Sequence, residues 1–315
     1  MFNFIDKGLT FAILELYSKT GKPDQKGSIA MKVVLAGAYG KLGSDVLRAL
    51  IKEGYEVVAA DIIDRDVEGL DKSSYTYHQM DATKPETMEG LCDGADAVIS
   101  TVGLTKANPN LTAMDIDYQG NLNLLNEAKK AGVKKFVYVS VIKADKAPHV
   151  PLLKAKYLFE EELKKSGVDW VILRPTGYFY DIVHVFRPMI EKGKVMLLKN
   201  DHPIHCNVID TSDFGEFIAK HIGDTNVTYD IGGKETYSYE ELAKLCFEAA
   251  GKEVKISYVP GGFFDLLGKL PKNKKNGKAE LMPFSKWTMS EDMVGDTVYG
   301  EHSFKEYIQE QFGGK

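Results

Sequence analysis

The chain has 315 residues, 44% of them hydrophobic and 27% charged, as in a folded globular protein rather than a low-complexity or membrane-embedded one. A net charge of −5 and a pI near 5.9 leave no broad positive field, which argues against nucleic acid as the main partner. The three cysteines, Cys92, Cys206 and Cys246, are scattered without CxxC spacing and predict a reducing, cytoplasmic setting.

Residues 1–30 read as an N-terminal extension, an apolar run at 9–17 followed by a polar stretch containing Gly, Pro and Lys. The run is too short to span a bilayer, is interrupted by Thr10 and Glu15, and has no small-residue cleavage site behind it. Neither stable membrane insertion nor a signal peptide is expected. A peripheral helix and an upstream addition to a functional start at Met31 are the leading readings, and the lack of a clearly basic polar face weighs against the third, an interfacial membrane helix.

From Met31 onward, short β-branched runs alternate with amphipathic segments, the pattern of a parallel sheet with crossover helices. A strand at 32–36 meets a glycine turn, after which Leu42, Val46, Leu47 and Leu50 recur at helical spacing up to Gly54. The next strands, 56–60 and 75–80, stop at Asp61 and Asp81. A short helix near 85–91 leads to a strand at 95–101 that ends in small residues. A helical segment at 111–131 is stopped by Gly132. A strand at 133–141, a helix at 152–165 and a strand at 169–173 complete the series. With right-handed crossovers this is an α/β, Rossmann-type doubly wound parallel sheet over 31–178. Beyond Tyr178 the alternation stops. Helices at 211–221 and 239–250 and an exposed loop at 271–278 predict a smaller C-terminal substrate lobe, 179–315, packed on the core.

The turn Gly37-Ala38-Tyr39-Gly40-Lys41-Leu42-Gly43 sets unpaired N–H groups at a helix N-terminus, where they and the helix dipole favour a pyrophosphate. Its GxxGxxG spacing, between a strand and a helix and ahead of an acidic strand end, points to NAD(P). Asp61, with Ile62 beside it, is placed to accept the adenosine ribose hydroxyls, and its charge opposes a 2′-phosphate, so NAD is favoured over NADP. Arg65, four residues on, is the opposing consideration. Asp81 and Ala82 flank the adenine, a role compatible with Asp81 capping the next helix. Thr101, Val102 and Gly103, at the end of the fourth strand, leave room for the cofactor.

The motifs at 36–43, 94–99, 132–137 and 173–176 together resemble those of atypical short-chain dehydrogenases of the NmrA-like and divinyl chlorophyllide reductase-like type. Residues 151–160 and 175–179 look most like the vinyl-reductase branch. Ordinary members of that superfamily use a Ser with a Tyr-x-x-x-Lys pair, the lysine and cofactor lowering the tyrosine pKa. Here Tyr157 is followed one helical turn later by Glu161, so alcohol and ketone chemistry loses its acid. The resemblance retains Ser140 and Lys156, the latter fitting a Lys-x-x-x-Glu pattern through Glu160 and serving the nicotinamide ribose, with Lys154 as its competitor. It places Pro175 and Thr176 against the nicotinamide and lets Tyr178 line the substrate pocket, with lobe packing as the alternative for Tyr178 and Phe179. The catalytic candidates are therefore Lys156, Ser140 and Tyr178.

The function this implies is an NAD(P)-dependent oxidoreductase acting on a small-molecule substrate, conjugated if the vinyl-reductase likeness extends to chemistry. A non-catalytic NmrA-like dinucleotide sensor and a sugar-nucleotide epimerase or dehydratase are the rivals. His202, His205 and Cys206 lie close in sequence without a second ligand cluster, and a strand would turn His205 and Cys206 to opposite faces, so no metal is expected. Lys272, Lys274, Lys275 and Lys278 read as a solvated connection.

Overall fold

Uninterrupted valine, leucine and alanine runs suit strands covered on both faces, as parallel sheets require. The computed structural model describes residues 30–275 and 277–313; the apolar run at 9–17 lies outside them. The strands in chain order are β1 (Lys32–Ala36), β2 (Glu56–Asp61), β3 (Thr76–Gln79), β4 (Ala97–Ser100), β5 (Lys135–Val139), β6 (Asp169–Pro175), β7 (Val195–Leu198), β8 (His205–Cys206), β9 (Val227–Gly232), β10 (Tyr237–Ser238), β11 (Ile256–Val259) and β12 (Thr297–Val298). Eight form one sheet in the order β12-β9-β6-β5-β4-β1-β2-β3, every pairing parallel. The sheet thus extends past β6, taking two further strands from the segment after Tyr178, where the sequence pattern is too short and polar to show them.

The helices are α1 (Lys41–Lys52), α2 (Asn121–Lys130), α3 (Pro151–Lys165), α4 (Phe179–Glu191), α5 (Thr211–His221), α6 (Tyr239–Ala249), α7 (Gly261–Lys269), α8 (Pro271–Lys275), α9 (Lys278–Thr288) and α10 (Phe304–Phe312). Strand alternation divides the core between the sheet's two faces. Val33, Leu35, Ile99, Val137 and Leu173 pack with Leu47 of α1 and Phe214 of α5. Their neighbours Val34, Val98, Phe136, Tyr138 and Ile172 pack with Leu125 of α2 and Phe159 of α3. Burial of each such Val, Leu, Ile or Phe contributes about 1.5–3 kcal/mol. A further cluster joins Phe179 and Phe186 of α4, Phe247 of α6 and Phe304 of α10. The small sheets β7 with β11 and β8 with β10 lie outside the main one.

Two further sequence expectations change. The segment expected to be helical at 111–131 opens as a π-helix, Met114–Gly120, before α2. The Asn121 amide explains the widened turn: it donates to the carbonyls of Ile116 (3.4 Å) and Asp117 (3.0 Å), entering the hydrogen-bond ladder. The stretch 271–278, expected to be a loop, is helical at Pro271–Lys275. Pro271 presets φ for a first helical turn, and Gly277, with φ +72°, separates that turn from α9.

All three cysteines are free and buried, and no helix among the described residues is long and apolar enough to cross a membrane. Burial raises the Asp181 carboxyl from 3.8 to about 6, against opposing pulls from Tyr180 and His184. A folded-state value above the unfolded one means the native state holds this proton more tightly, so stability falls as pH rises through that interval. Asp181→Asn is expected to raise unfolding stability by about 1–3 kcal/mol near pH 8, the gain vanishing toward about pH 4 in denaturant titrations.

Candidate functional site

β1 ends in a turn that only glycines allow. Gly37 has φ +79°, and a Cβ there would sit 2.7 Å from Thr101 Oγ1; a Cβ on Gly43 would lie 2.0 Å from the Gly37 carbonyl oxygen. α1 therefore starts against the strand end. No side chain caps it and its first turn carries no acidic residue, so the N–H groups of Lys41, Leu42 and Gly43 point outward without intrahelical partners. The Thr101 hydroxyl donates to the carbonyls of Ala36 and Gly37, both at 3.1 Å, and holds the turn to the end of β4. The turn lies where β1 and β4 lead off in opposite directions, the crevice at which open parallel sheets take ligands. An uncapped helix start with this close backbone approach fits a dinucleotide pyrophosphate.

The Asp61 carboxylate accepts the N–H groups of Tyr39 and Ile62, both at 2.8 Å, one on each oxygen. It thereby ties the glycine turn to the end of β2. Ile62 and Ile63 follow it, 55% and 58% exposed, an apolar pair suited to a base. Tyr39 stacks on Tyr77 and donates its hydroxyl to Asp64 at 3.0 Å. Asp81 accepts from both the backbone and the hydroxyl of Thr83, a capping role, while Ala82 is buried beneath Gly120.

Beyond the turn, the main feature is a buried ion pair. Lys156 Nζ, on α3, lies 3.0 Å from Asp117 Oδ1 in the π-helix, with side-chain exposures of 12% and 0%. Asp117 Oδ2 accepts the Leu104 N–H at 3.0 Å, and Lys156 also donates to the Val139 carbonyl at 3.3 Å. A Cβ on Gly103 would come within 2.9 Å of Asp117 Oδ1 and 3.3 Å of Lys156 Nζ, so the backbone at Val102–Gly103 passes directly over the pair. Asn121, buried, binds the Val102 carbonyl and receives the Ser100 hydroxyl at 2.5 Å. Lys154 is exposed, which leaves Lys156 as the lysine of this site.

Ser140, following β5, donates to Glu160 Oε1 at 2.5 Å. Glu160 is held by Arg174 from β6 through Nε (2.9 Å) and a second nitrogen (2.5 Å). The two members of the Lys-x-x-x-Glu pattern thus serve different partners, Asp117 and Arg174. Lys156 Nζ lies 5.4 Å from the ring centroid of Tyr138, whose phenol is pushed well above its ordinary value by burial and by Asp117 and Glu160. Tyr157 packs instead against the cluster around α4 and α6. Tyr178 stacks on Tyr180 and leans on Phe214, and burial pushes its phenol well up too. The Pro175 carbonyl accepts the Ile142 N–H, and the Thr176 hydroxyl donates to the Asn207 carbonyl at 2.8 Å; both fasten the end of β6. In β8, Cys206 is buried while His205 is half-buried, facing Asp292 at 3.8 Å.

Asp117 and Asn121 organise the surroundings of Lys156, and Arg174 those of Glu160; the sequence singles out none of the three as a site residue. Asp117 and Asn121 sit at i and i+4 within an otherwise ordinary helical pattern. Two polar residues on one helical face toward a sheet end were the available signal.

A Rossmann sheet with an uncapped glycine turn and an acidic β2 end defines an NAD(P)-binding protein of the atypical short-chain dehydrogenase/reductase type. Residues 37–225 match the NAD(P)H-binding family, to which the chain belongs. The photosystem II assembly factor Ycf39 of Synechocystis sp. is 30% identical over 234 residues, covering 73% of this chain and 71% of its own. The divinyl chlorophyllide a 8-vinyl-reductase of Arabidopsis thaliana is 27% identical over 261 residues, 75% of this chain and 62% of its own. In fold, an Escherichia coli NADPH-dependent quinone oxidoreductase complexed with NADPH aligns with a TM-score of 0.71 at 20% identity, over 89% of this chain and 99% of that one.

Gly43→Ala is expected to weaken NAD(P)H binding by about tenfold or more, since the new methyl displaces the turn from β1. Fluorescence titration reads the affinity, and circular dichroism checks that the sheet persists.

Proposed function

We propose that the protein is an NADH-dependent reductase that delivers hydride to a conjugated, largely apolar small molecule. The observation that carries this reading is Lys156, held by the buried Asp117 beneath the Val102–Gly103 backbone, at the carboxyl ends of β4 and β5. A reduced nicotinamide supplies the hydride when bound. Lys156 binds the adjoining ribose hydroxyls, Asp117 fixes the ammonium's position, and the backbone of Val102–Gly103 forms the wall beside it. Ser140 positions rather than reacts, because its proton is donated to Glu160. Tyr138 and Tyr178 stay protonated well beyond neutral pH. No tyrosinate acts as base, and reduction of a conjugated carbon–carbon bond or quinone needs none: the proton comes from solvent.

Asp61 at the end of β2 supports NADH over NADPH, because its charge opposes an adenosine 2′-phosphate, whereas Asp64 and Asp66 are paired with Lys72. Asp61→Ala is expected to reduce the NADH-to-NADPH affinity ratio by about tenfold. An unchanged ratio removes Asp61 from the ribose.

A second reading is a dinucleotide-responsive assembly protein without turnover. It is favoured by the commitment of Ser140 to Glu160 and by the likeness to Ycf39. A panel of quinones and enones separates the two. The reductase oxidises NADH with at least one acceptor, and Lys156→Met raises the KM for NADH by about tenfold with the fold unchanged. Tight NADH binding with no turnover across the panel supports the assembly protein.

A further inference from the structure

The outermost layer of the C-terminal part does not resemble a finished surface. α7 has the sequence GGFFDLLGK, and none of its residues is buried. Leu266 is 62% exposed and Leu270, just past its end, is 43% exposed. Apolar side chains so placed on consecutive turns are costly in water unless something covers them. The lysines that follow, Lys269, Lys272, Lys275 and Lys278, are all exposed. Asp265 is the only acidic residue from Gly261 to Lys278, and Lys286 neutralises it through contacts of 2.9 and 2.8 Å. In a chain of net charge −5, an apolar helix bordered by lysines with no acidic partner among the described residues is a local departure.

We infer that α7 and α8 form a docking surface for a bilayer containing anionic lipid. Leucine side chains enter the boundary between headgroups and acyl chains, while the lysines reach back along their methylene stems to lipid phosphates. The charge selects the anionic surface and the leucines hold it, so both are needed. Attachment is peripheral: at 9 residues α7 cannot span the hydrocarbon. The anchor is built into the fold. Gly268 of α7 packs against Met282 of α9, and Phe284 of α9 packs on Leu152 and Ala155 of α3. The surface is thereby stacked, through α9, on the helix that carries Lys156.

The full chain is tested by co-sedimentation with vesicles of phosphatidylcholine alone or mixed with phosphatidylglycerol. It is expected to bind the anionic vesicles about tenfold or more tightly, and to be released by salt. L266E/L270E and K269E/K272E/K275E should each lose about tenfold while keeping wild-type NADH affinity, the check that they fold. Absence of binding, equal binding to neutral vesicles, or binding unaffected by both variants overturns the inference. So does patch-dependent dimerisation in gel filtration without vesicle binding, which would give the face to a second copy of the chain.

Discussion

The contact between Lys156 and Asp117 is the constraint on which the site depends. A carboxylate with no exposed surface is tolerated only when paired, and removing one partner of such a pair costs about 3–5 kcal/mol. The pairing dictates its surroundings. It is crowded by the backbone at Gly103, where a Cβ would lie 2.9 Å from Asp117 Oδ1 and press on Lys156 Nζ at 3.3 Å. It draws the loop after β4 inward through the Leu104 N–H. It also goes with the π-helix, since Asn121 takes up the carbonyls of Ile116 and Asp117 where the helical ladder widens. Three segments remote in sequence thus meet at one ammonium group.

A second polar cluster lies beside the first and is kept distinct from it. The Glu160 carboxylate is satisfied by the Ser140 hydroxyl and the Arg174 guanidinium fork, and Arg174 reaches on to Asp145 at 3.3 Å. Because Glu160 is committed to Arg174, it does not compete with Asp117 for Lys156, although it lies one helical turn away. The Ser140 hydroxyl thereby ties the end of β5 to α3 and, through Glu160 and Arg174, to β6.

The glycine turn and the alternating strands were legible in the sequence because both are local. Gly37, Gly40 and Gly43 answer to backbone geometry within one turn, and Val33 to Ala36 answer to burial on two faces. Asp61 was legible as a strand end, though not its double hydrogen bond from Tyr39 and Ile62. Asp117 was illegible for the opposite reason. Its role comes from tertiary closure onto α3, and its helix looks regular until Asn121 is seen bonding backward. β9 and β12 are not visible in the sequence because β9 owes its place to the edge offered by β6, and β12 to the edge then offered by β9, not to patterns of their own. Lys272 and Lys275 are solvent-exposed, as their sequence setting implies, but they stand on the short helix α8 rather than on a loop.

The most direct test of Asp117 as the group that holds Lys156 for the cofactor is a double-mutant cycle on NADH affinity, measured by calorimetry. Wild type, Asp117→Asn, Lys156→Met and the double variant complete it. If Asp117 acts through Lys156, its substitution weakens binding in the wild-type background but adds little once Lys156 is gone, giving a coupling of about 1 kcal/mol or more. Additive losses contradict the account.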